Sequence, residues 1–338
     1  MSFTPSYKKI SEANFIRRVG LADEIIKSCT SCPRDCKVDR TSGELGSCQS
    51  GDKPIVSSYT PHFGEEPVLS GTNGAGNIFF GNCNLRCDYC QNFVISQNPK
   101  AEIRNEVSCE RLADIMIELQ SRGCHNIGLV SPTHFAVPIL KSIKLASDKG
   151  LTLPIIYNTN GYDSVEMLKL YKDIVDIYLP DFKYGNNEYG RRLSKIPDYF
   201  DKCKLAVKEM YEQVGSELVY ENGVVVRGLI IRHLVLPNDL AESEEVFKFI
   251  SRELDSKIHL SVMAQYYPTN RAEKNILLNR ALRHTEYSRV LELLDKYGLE
   301  NGWVQEMEST DFYRPDFNED RKDPFNNKKS LALPTSNS

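Results

Sequence analysis

From residue 76 onward the chain alternates short apolar runs with longer amphipathic stretches. The runs NIFFG (77–81), NIGLVS (126–131), PIIYN (154–158), IVDIYL (174–179), LIIRHLVL (229–236) and IHLSVMA (258–264) read as strands. Between them lie helices with recognisable ends. Ser108 caps one in which Leu112, Ile115, Met116 and Leu119 share a face and Gly123 ends the run. Phe200, Cys203, Val207, Met210 and Val214 mark a second stripe at steps of three and four, and a third helix opens at Thr285 and closes at Gly298. Strand and helix alternating over about 200 residues imply an α/β protein with a parallel sheet and right-handed crossovers. Six units fit a partial (β/α)6 TIM-like barrel better than a full eight, with a doubly wound open sheet as the structural rival.

The text before residue 76 is different. A helix is expected from Ser11 to Lys27, then residues 29–75 read as a small irregular Cys-rich module. The expected division is therefore 1–75 for the helix and module, 76–315 for the barrel, and 316–338 for a polar, Pro/Asn/Lys-rich tail that is disordered. Within PHFGEEP, His62, Glu65 and Glu66 either line the barrel mouth or bind metal, or they belong to a junction loop set by Pro61 and Pro67. The run GTNGAG (71–76) precedes a strand rather than a helix, so it is not a phosphate loop.

Composition narrows the class. The net charge of −4 over 338 residues argues against a nucleic-acid-coating protein. No apolar run approaches the roughly 20 residues that span a bilayer, and the start MSFTPSYKKI carries no signal-peptide stretch. A cytoplasmic protein without membrane or nucleic-acid partners is expected. A chain of this length also buries enough surface to hold a core without disulfides.

Ten cysteines are many for a reduced compartment, and seven are clustered. Such clustering without a secretion signal favours metal binding. Cys109, Cys124 and Cys203 stand apart and read as packing residues. In the loop GNCNLRCDYCQN, Cys83-x3-Cys87-x2-Cys90 follows the first predicted barrel strand. Three thiolates can ligate three corners of a cubane whose fourth iron keeps an open position, much as catalytic zinc does with three protein ligands. In parallel αβ folds chemistry sits at the carboxyl ends of strands. There the sequence offers Ser131-Pro132-Thr133-His134, Asn158-Thr159-Asn160-Gly161, Pro180-Asp181-Phe182-Lys183, and the pair Arg232-His233 within its strand.

The three-cysteine loop, with Tyr89 before its third cysteine, resembles that of the radical S-adenosylmethionine (SAM) enzymes. Together with CPRDC, PHFGEEPVLSG and SPTHF it is most similar to the iron–sulfur proteins related to pyruvate formate-lyase activating enzymes, over residues 29–315. The resemblance implies a [4Fe-4S] cluster on Cys83, Cys87 and Cys90, with SAM chelating the unique iron. One electron then cleaves SAM to methionine and a 5′-deoxyadenosyl radical that abstracts hydrogen from substrate. It further implies that Tyr89, Asn158, Asn160 and His233 contact SAM, and that Asp181 and Lys183 position SAM and an incoming peptide. Relatives carry Gly-Gly-Glu after the second strand, where this chain has Ser131, Pro132 and Thr133, so those hydroxyls are the candidates for the SAM amino group. The implied partners are a protein or peptide substrate, with a glycyl-radical enzyme as a candidate, and a flavodoxin- or ferredoxin-like electron donor. A small-molecule substrate, or a non-catalytic iron–sulfur or zinc protein, are the alternatives.

Cys29-x2-Cys32-x3-Cys36-x11-Cys48 supplies four thiols, enough to close a zinc site or a second iron–sulfur cluster. The spacing matches neither common ferredoxin pattern. The module is short and poor in apolar residues, which favours a structural metal.

Overall fold

The computed structural model describes residues 3–307, 315–318 and 320–325. Among these residues nine strands form one sheet: β1 (Val56–His62), β2 (Ala75–Phe80), β3 (Ile127–Val130), β4 (Ile155–Thr159), β5 (Ile177–Pro180), β6 (Val219–Glu221), β7 (Val224–Leu234), β8 (His259–Met263) and β9 (Gly302–Val304), all on one open path except β6, which pairs with β7 beside it. Each of β2, β3, β4, β5, β7 and β8 runs parallel beside the next in this sequence order. A doubly wound sheet would reverse its order at a switch point. This one does not, and the fold is the partial (β/α)6 barrel. β1 adds antiparallel to β2 at one edge, and β9 lies parallel to β8 at the other.

The alternation of the strands sorts side chains into two layers. Ile78, Leu129, Tyr157, Tyr178, Ile231 and Val262 face outward into the main core beneath the helices. The intervening residues face the lumen. At its amino end, Ile156, Ile177, Leu179, Val225 and Ile230 pack on Leu69. Leu69 sits on a one-turn helix, Pro67–Ser70, which is tied to the barrel by a 2.8 Å bond from Asn126 Nδ2 to the Leu69 carbonyl. The lumen is thus plugged below and polar above.

The helix Glu12–Lys27 is capped by Ser11, as its sequence predicts, and Cys109–Ser121 is capped by Ser108. Three features differ from the sequence reading. Residues 56–62, read as irregular, form β1, because VSSYTPH is polar yet covered on both sides. Strand β7 begins at Val224 rather than 229, entered through a hairpin turn at Asn222-Gly223 whose two residues both have positive φ. The expectation of disorder is corrected over 316–318 and 320–325, while residues 326–338 lie outside the described residues. Phe317 is buried against Phe79, with ring centroids 5.5 Å apart, and Arg321 reaches the fully buried carboxylate of Glu102 at 2.8 Å. Two aromatics and one cation anchor otherwise polar text. Among the described residues, no helix is long and apolar enough to cross a membrane.

Candidate active site at the mouth of the barrel

A cavity of ≈ 220 Å³ opens at the carboxyl ends of the strands, lined on one wall by Cys83, Cys87, Tyr89 and Cys90. The opposite wall carries the lumen-facing residues of successive strands: Asn158 and Asn160, then Asp181 and Lys183, then Arg232. Asn158, Asp181 and Arg232 each stand two positions beyond a buried apolar lumen residue, Ile156, Leu179 and Ile230, so one period-2 rule places these three, and Asn160 and Lys183 follow two positions further on, past the strand ends.

Arg232 organises this wall. Its Nε donates to Asp181 Oδ1 at 2.8 Å, its Nη1 to Glu65 Oε2 at 3.1 Å, and its Nη2 to Asn158 Oδ1 at 2.7 Å. Lys183 Nζ donates to the other oxygen of Asp181 at 2.7 Å. Glu65 is held from below by Asn77 Nδ2 at 2.9 Å. Burial pushes the Asp181 carboxyl up, but Arg232 and Lys183 outweigh it and hold it below the usual carboxylate range. Burial likewise pulls Lys183 down, and Asp181 with Cys87 more than restores it. Both groups are therefore charged. Glu66, just behind, is pushed up by burial, and its Oε2 has no hydrogen-bond partner among the described residues.

The cysteine loop is clamped from several sides. Asp88 pairs with Arg271 at 2.7 Å and with Lys195 at 3.2 Å, while Asn160 Nδ2 donates to Asn84 Oδ1 at 2.7 Å. The Leu85 amide and Asn160 Nδ2 approach Cys83 Sγ at 3.4 and 3.5 Å. A relay of hydroxyls runs from Tyr89 to Tyr184 (2.8 Å), Tyr184 to Ser194 (2.6 Å) and Ser194 to Cys87 Sγ (3.0 Å). The sulfurs thus receive donors, which suits anionic, metal-bound thiolate better than neutral thiol. Burial first, and neighbouring thiols or carboxylates after it, drive all three thiols up, Cys90 to about 12, and a bound cationic metal centre would oppose that shift. The three thiols line one cavity, where each could take a separate iron of one cluster. A [4Fe-4S] group fits this donor set.

The predicted residues divide cleanly. Tyr89, Ser131, Asn158, Asn160, Asp181 and Lys183 all line the cavity with the three cysteines. Two do not, and both are corrections. His233 is fully buried on the outward face of β7, with Nδ1 2.7 Å from the Phe182 carbonyl and Nε2 2.9 Å from Ser243 Oγ. It is one residue out of phase with Arg232, so it cannot reach a SAM ribose. Thr133 is also buried outside the cavity, where its hydroxyl donates to Asp163 Oδ1 at 2.7 Å. Arg232 has no assigned role in the sequence reading, although the strand period signals it; Glu65, open there between the barrel mouth and a junction loop, lines the cavity from its loop. His62 lines the cavity as well, its ring 4.0 Å from that of Phe325.

The family profile described as Radical SAM superfamily matches residues 77–250, just over half of the chain. The chain belongs to the radical SAM superfamily. The family implies a [4Fe-4S] cluster and SAM. An uncharacterized protein of Methanocaldococcus jannaschii, MJ0674, is 35% identical over 300 residues, covering 84% of this chain and 79% of that protein. A second from the same organism, MJ0808, is 28% identical over 196 residues, covering 53% of this chain and 56% of its own length. Among solved structures, methylornithine synthase (PylB) aligns with a TM-score of 0.45 at 14% identity, over 93% of this chain and 86% of that one. Native anSMEcpe with bound AdoMet and Cp18Cys peptide aligns with a TM-score of 0.43 at 16% identity, over 64% of this chain and 56% of that one.

Proposed function

We propose that this radical SAM protein abstracts a hydrogen atom from a protein or peptide, with activation of a glycyl-radical enzyme as the leading case. The observation that carries the reading is the sharing of one cavity by Cys83, Cys87 and Cys90 with Asn158, Asn160, Asp181, Lys183 and Arg232. A cluster held by the three thiols would supply the electron that cleaves bound SAM. The chain's own residues do the rest. Glu65 and Asp181 present carboxylates to an ammonium group, in place of the Gly-Gly-Glu that Ser131, Pro132 and Thr133 replace. Arg232 and Lys183 keep Asp181 ionised, Arg232 also pairs with Glu65, and both cations face incoming carboxylate or amide oxygens. Phe79, Leu234, Met263 and Phe325 form the apolar part of the lining and limit water around a reactive centre. Asp181 and Lys183 resemble the Asp-x-Lys of the activating enzymes and hold the substrate backbone.

The test is to incubate anaerobic, reduced protein with SAM and a candidate glycyl-radical enzyme. 5′-Deoxyadenosine together with a glycyl-radical doublet in the paramagnetic resonance spectrum supports the reading. Deoxyadenosine without a radical on any such partner removes the glycyl-radical case and leaves the chemistry.

One observation favours a second reading, a small zwitterionic substrate. Pro315 and Phe325 line the cavity beside its charged wall, which narrows the entrance for a folded protein. Mass change in a small amine-carboxylate substrate, with no modified protein, would distinguish it.

A further inference from the structure

Beyond the Cys83 loop lies a second group of thiols. Cys29, Cys32, Cys36 and Cys48 line one small pocket, and none is in a disulfide. The loop is shaped around them. Asp35 and Lys37, flanking Cys36, both take left-handed backbone conformations with φ of 47° and 57°. A Cβ on Gly46 would lie 3.0 Å from Cys36 Sγ, so glycine leaves the sulfur its place. Non-glycine residues adopt that conformation at a cost, and a local purpose is the ordinary reason for it.

Two further residues mark the pocket as a binding site, and the first of them as one for an anion. Arg40 is 1% exposed, yet among the described residues it forms no ion pair with a carboxylate. Its guanidinium donates to the carbonyls of Gly51 and His134, and Nη1 stands 3.9 Å from Cys29 Sγ. A buried cation needs a counter-charge, and a metal centre ligated by four thiolates carries net negative charge. His134 lines the same pocket and is equally buried. Its Nε2 lies 2.8 Å from the Gly81 carbonyl, which can only accept, so Nε2 holds the proton. Nδ1 is then a bare lone pair, with no hydrogen-bond partner among the described residues.

Four thiolates can close a tetrahedral zinc site or the four corners of a cubane, and only the cubane carries an electron. The position of these thiols favours the cubane. The two cysteine loops also share a hydrogen-bonded seam. Asn82 Nδ2 donates to the Gln49 carbonyl at 3.0 Å, and Arg34 Nε to the Asn84 carbonyl at 2.9 Å. The His134 bond to Gly81 completes it.

We propose that Cys29, Cys32, Cys36 and Cys48 hold a second, fully thiolate-ligated [4Fe-4S] cluster, with Arg40 as its buried counter-cation. It takes one electron from a low-potential flavin or iron–sulfur donor, which is oxidised by one electron as the cluster passes from the 2+ to the 1+ state. Service of this electron to the Cys83 loop rests on the reading under Proposed function; the site itself does not.

The experiment compares the full chain, purified anaerobically, with its Cys83→Ala/Cys87→Ala/Cys90→Ala variant. The proposal expects about eight iron and eight sulfide per wild-type chain and about four of each in the variant. After dithionite the variant should give a paramagnetic signal that SAM leaves unchanged. A folded variant holding zinc, or no metal, overturns the proposal, while loss of iron from the wild type as well also contradicts the Cys83 assignment. If the triple variant does not fold, the wild-type count decides: about eight supports a second cluster and about four refutes it. Cys36→Ser should remove half the iron and spare the SAM-sensitive signal; unchanged iron would sink the assignment.

Discussion

Arg232 donates from Nε to Asp181 Oδ1 at 2.8 Å across the barrel lumen, joining adjacent parallel strands at the floor of the cavity. The same guanidinium holds Glu65 and Asn158, so one residue fixes three ligand-facing groups. Replacing it by methionine leaves Glu65 without its cation and Asp181 with Lys183 alone. Arg232→Met is expected to cost about 3–5 kcal/mol of stability and to abolish deoxyadenosine formation. Arg232→Met combined with Glu65→Gln should cost less than the sum of the single changes, measured by denaturant unfolding.

Gly128 provides the space for Asn77, since a Cβ there would lie 2.1 Å from Asn77 Oδ1. Asn77 in turn holds Glu65. Gly128→Ala pushes aside the end of a flexible side chain, so stability should fall only modestly, by about 1–2 kcal/mol. SAM affinity should fall by a comparable free energy, roughly tenfold for a lost hydrogen bond to a charged group. Equilibrium binding and unfolding on the same variant separate the two effects.

Much of this wall was legible in the sequence, because strand ends and period-2 alternation are local properties. Counting from Ile230 puts Arg232 in the lumen and His233 outside it. The histidine was favoured by resemblance, and the alternation overrules it. Thr133 failed for a related reason: it belongs to a turn that folds back toward Asp163, where Thr159 and Tyr157 also converge. Glu65 and the Phe317–Phe325 contacts depend on long-range packing, and no local pattern carries them.

His233 makes stability depend on pH. Burial lowers it from 6.5 to about 4. Between those values the unfolded chain binds a proton that the folded chain does not, so stability falls as pH drops from 6.5 toward 4, by about 1.4 kcal/mol per pH unit. His62, lowered to about 4 by burial, acts in the same sense. Asp163 and Asp176, raised by burial to about 6, act oppositely, because below pH 6 the folded chain keeps their protons. His233→Gln should therefore reduce the acid-side slope of stability by about one proton, as seen in urea unfolding between pH 4.5 and 6 on the scale of those shifts.

Ser194 donates to Cys87 Sγ at 3.0 Å at the end of the tyrosine relay. Donors to cluster sulfur stabilise the reduced, more negative state. Ser194→Ala is expected to lower the reduction potential of the SAM-sensitive cluster without changing its iron content. A redox titration followed by paramagnetic resonance checks the direction.

The central claim is that Cys83, Cys87 and Cys90 hold a cluster with one iron free for SAM. The direct measurement is paramagnetic resonance of the dithionite-reduced protein before and after SAM is added, in wild type and in Cys83→Ala. The account predicts a signal that SAM reshapes in the wild type and that the variant lacks. A wild-type signal indifferent to SAM, or a Cys83→Ala protein that still responds to it, would contradict the account.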